Sequence, residues 1–271
     1  LYLEYDPLVT CSDASACIIL IVNGCTDTTA CNYDILANVD DSSCDLPNGC
    51  MDATAVNYDP AATCDDGSCI ILSIGTPYQG GIIFYLDGNG GGLIAAPSDQ
   101  SSGVPWGCGN TGLTGADGTA IGTGSQNTVD MELAASVPTT VNPSGCYGWE
   151  WKAAGICVNL SLGGYNDWFL PSKDELNQMY LNRYVIGGFA NNSNYWSSTE
   201  SGASFAYGRD FSNGISIVNG KLYSNGVRAI RAFGNMTISG CTDPTGLNYN
   251  SLANMDDGSC IAVVLGCTDD G

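Results

Sequence analysis

The stretch Gly240-Cys241-Thr242-Asp243, followed by Asp256-Asp257-Gly258-Ser259-Cys260, sets the organisation of the chain, because two earlier copies of it occur. The copies span residues 24–44 and 49–69, and in all three the two cysteines stand 19 positions apart. A segment of about 25 residues cannot bury enough apolar surface to offset its chain entropy, whereas one disulfide over such a loop contributes about 3 kcal/mol. Each copy is therefore predicted to be a small module closed by one disulfide. The predicted pairs are Cys25–Cys44, Cys50–Cys69 and Cys241–Cys260.

The two ends of the sequence contain parts of the same pattern. Residues 1–17 match the second half of a module, with Cys11 and Cys17 corresponding to Cys64 and Cys69 and one residue inserted. Residues 266–271, Gly-Cys-Thr-Asp-Asp-Gly, match the first half. We therefore expect either a fragment of a longer chain or one period of a tandem array. In an array, Cys267 would bond to Cys17 of the following copy.

The 14 cysteines indicate an oxidising compartment, because a reducing cytosol would not keep such a framework closed. Zinc is disfavoured, since the sequence has no histidine and no Cys-x-x-Cys. The expected location is extracellular, as a secreted or cell-surface protein. The remaining pairings stay open: Cys11 and Cys31 could bridge adjoining modules, and Cys64 could then reach a cysteine of the middle region. Those cysteines are Cys108, Cys146 and Cys157.

The formal net charge of -21 is unevenly distributed. Residues 1–71 and 237–271 contain seventeen of the 28 acidic residues and none of the seven basic ones. This disfavours nucleic acid and anionic membranes as partners. Membrane insertion is not expected either, because the longest aliphatic run, residues 18–22, is too short to span a bilayer.

Acidic residues recur at fixed positions of the modules. Oxygen-bearing side chains that crowd a small closed loop are what calcium needs, so calcium is a candidate cofactor. The alternative is a solvated turn in which each carboxylate caps its own backbone. The candidate ligands are Asp27, Asp40, Asp41, Asp52, Asp65, Asp66, Asp243, Asp256 and Asp257.

Short apolar links follow the modules at residues 18–22, 70–72 and 261–265, and each predicts a strand. These strands could pair with neighbouring chains or cover the next module, and covering is favoured because exposed apolar edges aggregate.

The middle of the chain, about residues 75–234, alternates strands with a few helices. Helices are predicted over residues 128–135 and 150–160, and a third follows Ser172, which forms a capping box with Glu175. The third helix has an apolar stripe of Leu176, Met179, Tyr180 and Tyr184. Trp168, Phe169 and Trp196 are predicted to fill the core. Strands are predicted over residues 80–86, 93–96, 195–198, 204–211, 215–218, 221–223 and 227–233.

Several separated motifs of this middle region resemble the C-terminal domain family of bacterial collagen-like adhesins. They are Ala95-Ala96-Pro97-Ser98-Asp99, Trp106-Gly107-Cys108, Gly115-Ala116-Asp117-Gly118-Thr119, Asp167-Trp168-Phe169-Leu170-Pro171-Ser172, Tyr195-Trp196-Ser197-Ser198-Thr199-Glu200 and Val227-Arg228-Ala229-Ile230-Arg231-Ala232-Phe233. The resemblance implies a C-type-lectin-like fold in surface proteins that mostly bind rather than catalyse. The modules resemble the Gly-Cys-Thr-Asp…Asp-Asp-Gly-Ser-Cys repeats of large secreted bacterial surface proteins, and more distantly thrombospondin type 3 repeats.

The expected fold class is therefore α+β, with a C-type-lectin-like domain flanked by small disulfide-closed repeat modules. The expected divisions, in chain order, are a half-module with its linker strand (1–23), two modules (24–48 and 49–73), the lectin-like domain (74–236), a third module with its linker strand (237–265) and a second half-module (266–271).

The last third of the lectin-like region is the expected binding surface. Its short strands place aromatic and basic groups among small polar ones, a composition suited to adaptable recognition. The alternative is an ordinary polar sheet face. The candidate ligand-binding residues are Tyr207, Arg209, Ser216, Lys221 and Tyr223.

Two functions follow from these expectations. The first is a structural segment of an extracellular fibre or stalk, whose partners are copies of itself. The second is a surface adhesin whose lectin-like domain recognises a glycan or protein ligand. An enzyme is not expected, because the chain has no histidine and no Gly-rich phosphate loop in a recognisable setting.

Overall fold

The computed structural model describes residues 20–46, 48–107, 114–136, 152–190 and 193–263. The protein is α+β, mostly sheet with a few short helices, and it divides into two compact units, Leu1–Leu72 and Ser73–Gly271. The half-modules predicted at residues 1–17 and 266–271 lie outside the described residues. The same is true of Cys11, Cys17, Cys108, Cys146 and Cys267.

Two modules make up the described part of the first unit. In each, two short strands pair in parallel: β1 (Asn23–Gly24) with β2 (Val39–Asp40), and β3 (Asn48–Gly49) with β4 (Cys64–Asp65). The bonds Cys25–Cys44 and Cys50–Cys69 close the two loops, with Cα–Cα distances of 4.8 and 4.7 Å. These are the pairs that the 19-residue spacing predicts.

One asparagine side chain clamps each module beside its disulfide. Asn57 Nδ2 donates to Ser68 O at 2.7 Å, and Asn57 Oδ1 accepts from Ile70 N at 2.7 Å, so the amide ties together the residues on either side of the second cysteine. Asn32 and Asn248 make the same pair of bonds in their modules. Because so small a module has little interior, this amide supplies part of the closure that packing gives a larger domain.

The glycine of the Asp-Asp-Gly-Ser-Cys stretch has a conformational role. Gly67 and Gly258 have φ angles of 74° and 78°, in the left-handed region that side chains disfavour. The first module has Ser42 at this position, with a φ of 64°. All three modules therefore make the same turn, and the first module does so at a backbone strain of about 1 kcal/mol.

A further disulfide, Cys31–Cys64, joins the two modules with a Cα–Cα distance of 6.3 Å. This bond decides a pairing that the sequence left open, and it excludes the possible bonds of Cys31 with Cys11 and of Cys64 with the middle region. The reason is geometric. Counted from the first cysteine of each module, Cys31 at position 7 of the first module lies against Cys64 at position 15 of the second. The side chain of Asn48 crosses the same boundary and donates to Thr29 O.

The predicted strands at residues 70–72 and 261–263 do not form. The backbone of Ile70 is used inside its own module, since its N–H donates to the Asn57 clamp and its carbonyl accepts from Val56 N at 3.0 Å. Ile261 is held in the same way by Asn248 and Leu247. These backbone groups are therefore not available to a strand ladder.

The described part of the second unit contains two larger sheets and one small one. Its strands, in chain order, are β5 (Pro77–Tyr78), β6 (Gly81–Leu86), β7 (Gly92–Ala95), β8 (Ser101–Val104), β9 (Asn194–Gly202), β10 (Phe205–Asp210), β11 (Ser216–Gly220), β12 (Asn225–Val227), β13 (Ile230–Phe233), β14 (Ser239–Gly240) and β15 (Met255–Asp256). The four-stranded sheet has the order β13-β7-β6-β5, and the five-stranded sheet has the order β11-β10-β9-β12-β8. β14 and β15 pair in parallel within the third module.

The segment 227–233, predicted as one strand, divides between the two larger sheets. β12 pairs with β8 and β9, whereas β13 pairs with β7 in antiparallel register. The chain crosses between the sheets at Arg228 and Ala229, where the buried Arg228 side chain forms an ion pair with Asp99. The predicted strand at residues 221–223 is a turn instead, closed by a hydrogen bond from Tyr223 N to Gly220 O at 2.9 Å.

The helices lie between these strands in sequence. They are α1 (Gly124–Ser136), α2 (Ala153–Val158), α3 (Lys173–Leu181) and α4 (Arg183–Ile186). All three predicted helices are present, although α1 begins four residues earlier than predicted. In the part of the chain that the structure describes, no helix is both long and apolar enough to cross a bilayer.

The starts of α1 and α3 meet on one buried carboxylate. The predicted capping box is confirmed: Ser172 accepts from Glu175 N, and Ser172 N donates to Glu175 Oε2 at 2.7 Å. Gly122 N donates to Glu175 Oε1 at 2.8 Å. Burial raises the pKa of Glu175 to about 7, against the lowering effect of these backbone donors. A Cβ at residue 124 would overlap Glu175 Oε2, so Gly124 is required for this approach.

The core of the second unit lies between the sheets and α3. It contains side chains from β6, β7, β9, β13, α3 and α4 and from the segments between elements, namely Phe84, Leu93, Ala95, Phe169, Leu176, Met179, Ile186, Tyr195, Phe211, Ile230, Met236 and Ile238. Trp168, Phe169 and Trp196 are buried, as predicted. Tyr184 is not part of the predicted apolar stripe: α3 ends at Leu181, and the Tyr184 side chain is 83 % exposed.

The third module, closed by Cys241–Cys260, belongs to the second unit and packs on α1 through polar groups. Gln126 is central: its Oε1 accepts from Cys241 N at 2.9 Å, and its Nε2 donates to Asn248 O at 3.1 Å and to Asp130 Oδ1 at 3.0 Å. Asp130 also accepts from Asn248 Nδ2 at 3.1 Å. Burial raises the pKa of Asp130. Because every bond here is directional, the network fixes the orientation of the module on the helix.

One substitution within the repeat suits this packing. Asn250 stands where the other modules have Asp34 and Asp59, and it is 2 % exposed. Its Nδ2 donates to Ser125 Oγ at 3.0 Å, and the same hydroxyl lies 3.2 Å from its Oδ1. A carboxylate could not donate to the hydroxyl and would place a second negative charge in the network that contains Asp130.

We predict that Asn250→Asp, which restores the residue of the other modules, lowers the unfolding free energy of the second unit by about 2–3 kcal/mol at pH 7. The loss should shrink toward pH 4, because the new buried carboxyl then becomes neutral. Urea denaturation at both pH values, followed by tryptophan fluorescence, measures this.

The matched control is Asp256→Asn in the same module. Asp256 is exposed and caps Gly258 N through one oxygen, a bond that an amide oxygen reproduces, so the change should stay within about 0.5 kcal/mol. Equal effects of the two substitutions would contradict the buried-network explanation.

Candidate functional site

The predicted ligand-binding residues divide into two groups in the structure. On β10 and β11, Arg209 stands opposite Ser216 and Tyr207 stands opposite Val218. Residues directly opposite in an antiparallel pair share a face, as do residues two apart on one strand. Tyr207, Arg209 and Ser216 therefore lie on one face of the five-stranded sheet.

This face contacts α3 through Lys173 and Tyr180. Lys173 Nζ lies 4.7 Å from the centre of the Tyr207 ring, and the guanidinium of Arg209 lies 5.9 Å from the centre of the Tyr180 ring. Arg209 Nη1 donates to Gly214 O, whereas its buried Nε has no hydrogen-bond partner among the described residues. Burial lowers the pKa of Arg209. The Arg209 side chain thus retains an unused donor.

Sequence reasoning missed the groups contributed by α4. The guanidinium of Arg183 lies 4.0 Å from the centre of the Tyr180 ring and 4.2 Å from that of Tyr184. Its Nη1 donates to Tyr180 O and its Nη2 to Tyr184 Oη, both at 2.9 Å. The available signal was the sequence Tyr-Leu-Asn-Arg-Tyr at 180–184, in which an arginine stands between two tyrosines. We define Lys173, Tyr180, Arg183, Tyr184, Tyr207 and Arg209 as the cationic–aromatic face.

A cavity of about 360 Å³ opens at the Arg183 end of this face. Arg183 and Tyr184 contribute to the lining, and the other lining residues are Gly187, Gly188, Phe189, Ala190, Phe211 and Ser212. Phe189 and Phe211 pack with ring centroids 4.7 Å apart, which makes part of the wall rigid and apolar. The volume is in the range of small ligand pockets.

Lys221 does not lie on this face, which corrects its assignment to an exposed binding surface. The side chain is 1 % exposed, its Nζ lies 2.5 Å from Glu200 Oε1, and it stands 4.8 Å from the centre of the Trp106 ring. Glu200 Oε2 accepts from both the N–H and the hydroxyl of Thr114, at 2.8 Å. The position after β11 turns inward, so strand alternation beyond Gly220 does not predict where Lys221 points. Its role is structural.

Tyr223 lies in the turn between β11 and β12 and is 67 % exposed. It is not among the residues that line the cavity. No contact in the described structure joins it to Tyr207, Arg209 or Ser216. The five predicted residues thus comprise three on one face, one in the core and one on an exposed turn.

The acidic module residues each cap their own turn. Oδ1 of Asp27, Asp52 and Asp243 accepts from the N–H and the hydroxyl of the threonine two residues on, at 2.8 and 2.7 Å in each case. Asp40, Asp65 and Asp256 each accept one backbone N–H two residues on, and so do Asp41, Asp66 and Asp257. The hydrogen bond from the threonine hydroxyl, with that from its N–H, lowers the pKa of Asp27, Asp52 and Asp243.

The carboxylates of the modules are separated from one another in this structure. Within the described residues, no group of three or more Asp, Glu, His or Cys side chains lies close enough together to hold a metal ion. Each carboxylate instead uses Oδ1 for its own turn. This is the bonding pattern of the capped-turn alternative, and calcium stays a prediction from the sequence.

A free thiol is also present. Cys157 is fully buried in α2, and burial raises its pKa. A buried thiol with a raised pKa is a poor nucleophile at neutral pH. Cys17 and Cys267, the predicted junction pair, lie outside the described residues.

The comparisons with known proteins give no family. No protein-family model and no curated protein matches this sequence.

We predict that the midpoint of thermal unfolding is the same, within about 1 °C, in a chelator and in about 5 mM calcium, a concentration above the 0.1–1 mM range of extracellular calcium modules. The physical reason is that the module carboxylates are separated and already bonded to the backbone. Scanning calorimetry of the full chain measures this, with magnesium at the same concentration as the ionic-strength control. A rise of several degrees with calcium alone would establish a calcium site.

Proposed function

We propose that this chain is a segment of an extracellular stalk or fibre, in which disulfide-closed modules space a C-type-lectin-like domain. The observation that carries the proposal is covalent closure of the modules. Three modules close with the same disulfide and the same asparagine clamp, and Cys31–Cys64 joins the first two into one cross-linked body. Such cross-links persist in an oxidising compartment and would be lost in the cytosol.

The lectin-like part of the proposal is supported by topology. β13, which comes late in the sequence of this region, pairs with β7 next to β6. The first and last long strands of the region therefore share a sheet. The second sheet and the short helices lie between them in sequence. The motifs that resemble the collagen-like adhesin family lie largely on these buried strands and at the start of α3.

A stalk must keep its length under load, and the disulfides give the first two modules this property. Between Cys25 and Cys69, the shortest covalent path crosses two disulfides and only the six-residue step from Cys44 to Cys50. With Cα–Cα distances of 4.8 and 4.7 Å across the bridges, this path spans at most about 30 Å. The same stretch without disulfides would reach about 150 Å.

A second candidate function is a ligand-binding adhesin. The cationic–aromatic face favours it, because this face combines an 83 % exposed tyrosine, a rigid aromatic wall and three bases that form no ion pair with a described carboxylate. Neither candidate is an enzyme: the chain has no histidine, and Cys157 is buried.

We predict that reduction lengthens the first two modules by about 120 Å under force. Handles attached through non-cysteine chemistry at residues 23 and 70 allow single-molecule extension to be measured with and without a reductant. The short oxidised length follows from the covalent path through Cys44 and Cys50.

The matched control is the double variant Cys31→Ser/Cys64→Ser. It removes one disulfide and leaves the shortest path intact, so its oxidised extension should equal that of the parent. An oxidised parent chain that extends far beyond about 30 Å between these residues would refute the load-bearing role.

A further inference from the structure

This acidic protein has seven basic residues, and most of them interact with a carboxylate. Lys221, Arg228 and Arg231, all buried, form ion pairs with Glu200, Asp99 and Asp167, at 2.5, 2.7 and 2.7 Å. Lys152 interacts with Glu132. The other three, Lys173, Arg183 and Arg209, make no ion pair with any described carboxylate, and all three lie on the cationic–aromatic face.

These three cations are held by tyrosine rings rather than by acids. Arg183 and Arg209 lie 4.0 and 5.9 Å from the centre of the same ring, that of Tyr180, and Lys173 lies over Tyr207. Cation–π contacts orient a cation without neutralising it. The face therefore keeps its positive charge in a fixed arrangement, while the molecule as a whole is strongly negative.

The arrangement is preorganised for a ligand. Both terminal nitrogens of Arg183 are anchored, one on a backbone carbonyl and one on the Tyr184 hydroxyl, and each keeps a second N–H. A ligand anion would thus meet a guanidinium whose rotamers are already restricted, which lowers the entropy cost of binding.

Two carboxylates lie close by, and neither forms an ion pair with Lys173, Arg183 or Arg209. Asp174 is exposed and interacts with Arg209 at a distance beyond an ion pair. Asp210 is occupied by Ser212 and Asn213, which donate to its two oxygens at 2.6–2.8 Å.

The cavity at the Arg183 end indicates the shape of the ligand. A volume of about 360 Å³, bounded by Tyr184, Phe189 and Phe211 with Ser212 as a polar group, suits a ring with polar substituents better than an extended peptide side chain. From Lys173 to Arg183 the helical segment runs about 15 Å, so a ligand that contacts the whole face is an oligomer.

We propose that the cationic–aromatic face binds an anionic polysaccharide rich in uronic acids, with carboxylates on Arg183, Arg209 and Lys173 and one sugar ring in the cavity. Charge-assisted hydrogen bonds hold the carboxylates, and the tyrosines pack against the sugar rings. Nucleic acid is disfavoured, because the net charge of -21 repels so dense a polyanion. This inference rests on the second proposed function and names its ligand class.

Binding of polygalacturonate, a uronic-acid polymer, and of neutral dextran of similar length to the full chain tests the proposal, by calorimetry in a chelator at about 20 and 150 mM NaCl. Polygalacturonate should bind and dextran should not, and the higher salt should weaken binding several-fold. Arg183→Gln and Arg209→Gln should each weaken it about tenfold. Lys152→Gln, which removes a positive charge elsewhere in the second unit, should leave affinity unchanged. Thermal unfolding of each variant confirms that it is folded.

The possible failures are distinguishable. Absence of polygalacturonate binding at low salt, or equal effects of the three single substitutions, overturns the proposed site. Dextran binding as tight as that of polygalacturonate overturns the anionic ligand class and still supports an adhesin. Self-association in sedimentation velocity that is lost in Arg183→Gln, without polymer binding, overturns it in favour of a second copy of the chain. None of these results bears on the extension of the modules under force.

Discussion

Each module depends on one asparagine amide that bonds to both neighbours of a disulfide-bonded cysteine. The disulfide brings the two ends of the loop together, and the amide fixes how they meet, because it donates on one side and accepts on the other. The remaining turns are capped locally by aspartates. With so little apolar surface to bury, a module of this size has covalent and polar closure where a larger domain has a core. The third module also forms a polar network with α1, which explains why residue 250 is an asparagine and not an aspartate.

The second unit is stabilised mainly by a buried core. It buries large aromatic side chains between two sheets and α3, and it also buries three of the seven basic residues, each in an ion pair with a carboxylate. Removing one partner of such a pair leaves an uncompensated charge, so these bases cannot be exposed without a large loss of stability. Few basic residues are therefore left for the surface. The three that form no ion pair with a described carboxylate lie together, in contact with tyrosine rings.

Local features were predictable from the sequence, and non-local ones were not. The 19-residue spacing predicts the module pairs, and the capping box predicts the start of α3, because both depend on residues close in sequence. The Cys31–Cys64 bond depends on how two modules pack, which spacing does not encode. The segment 227–233 reads as one strand, yet it divides because Arg228 turns inward to reach Asp99. On the candidate site, Tyr207, Arg209 and Ser216 followed from alternation, whereas Lys221 lies beyond the strand, where alternation no longer applies. Arg183 and Tyr184 were missed because a tyrosine at helical spacing looks like a core residue.

The overlap of the disulfides in the first unit protects the chain from fragmentation by proteases. The loops closed by Cys25–Cys44, Cys31–Cys64 and Cys50–Cys69 overlap in sequence, so every peptide bond from residue 25 to residue 69 lies within at least one of them. A protease that cuts an exposed turn there hydrolyses one bond but releases no fragment, and the nicked protein stays one covalent molecule. The exposed acidic turns can therefore tolerate a single cleavage without the chain being severed.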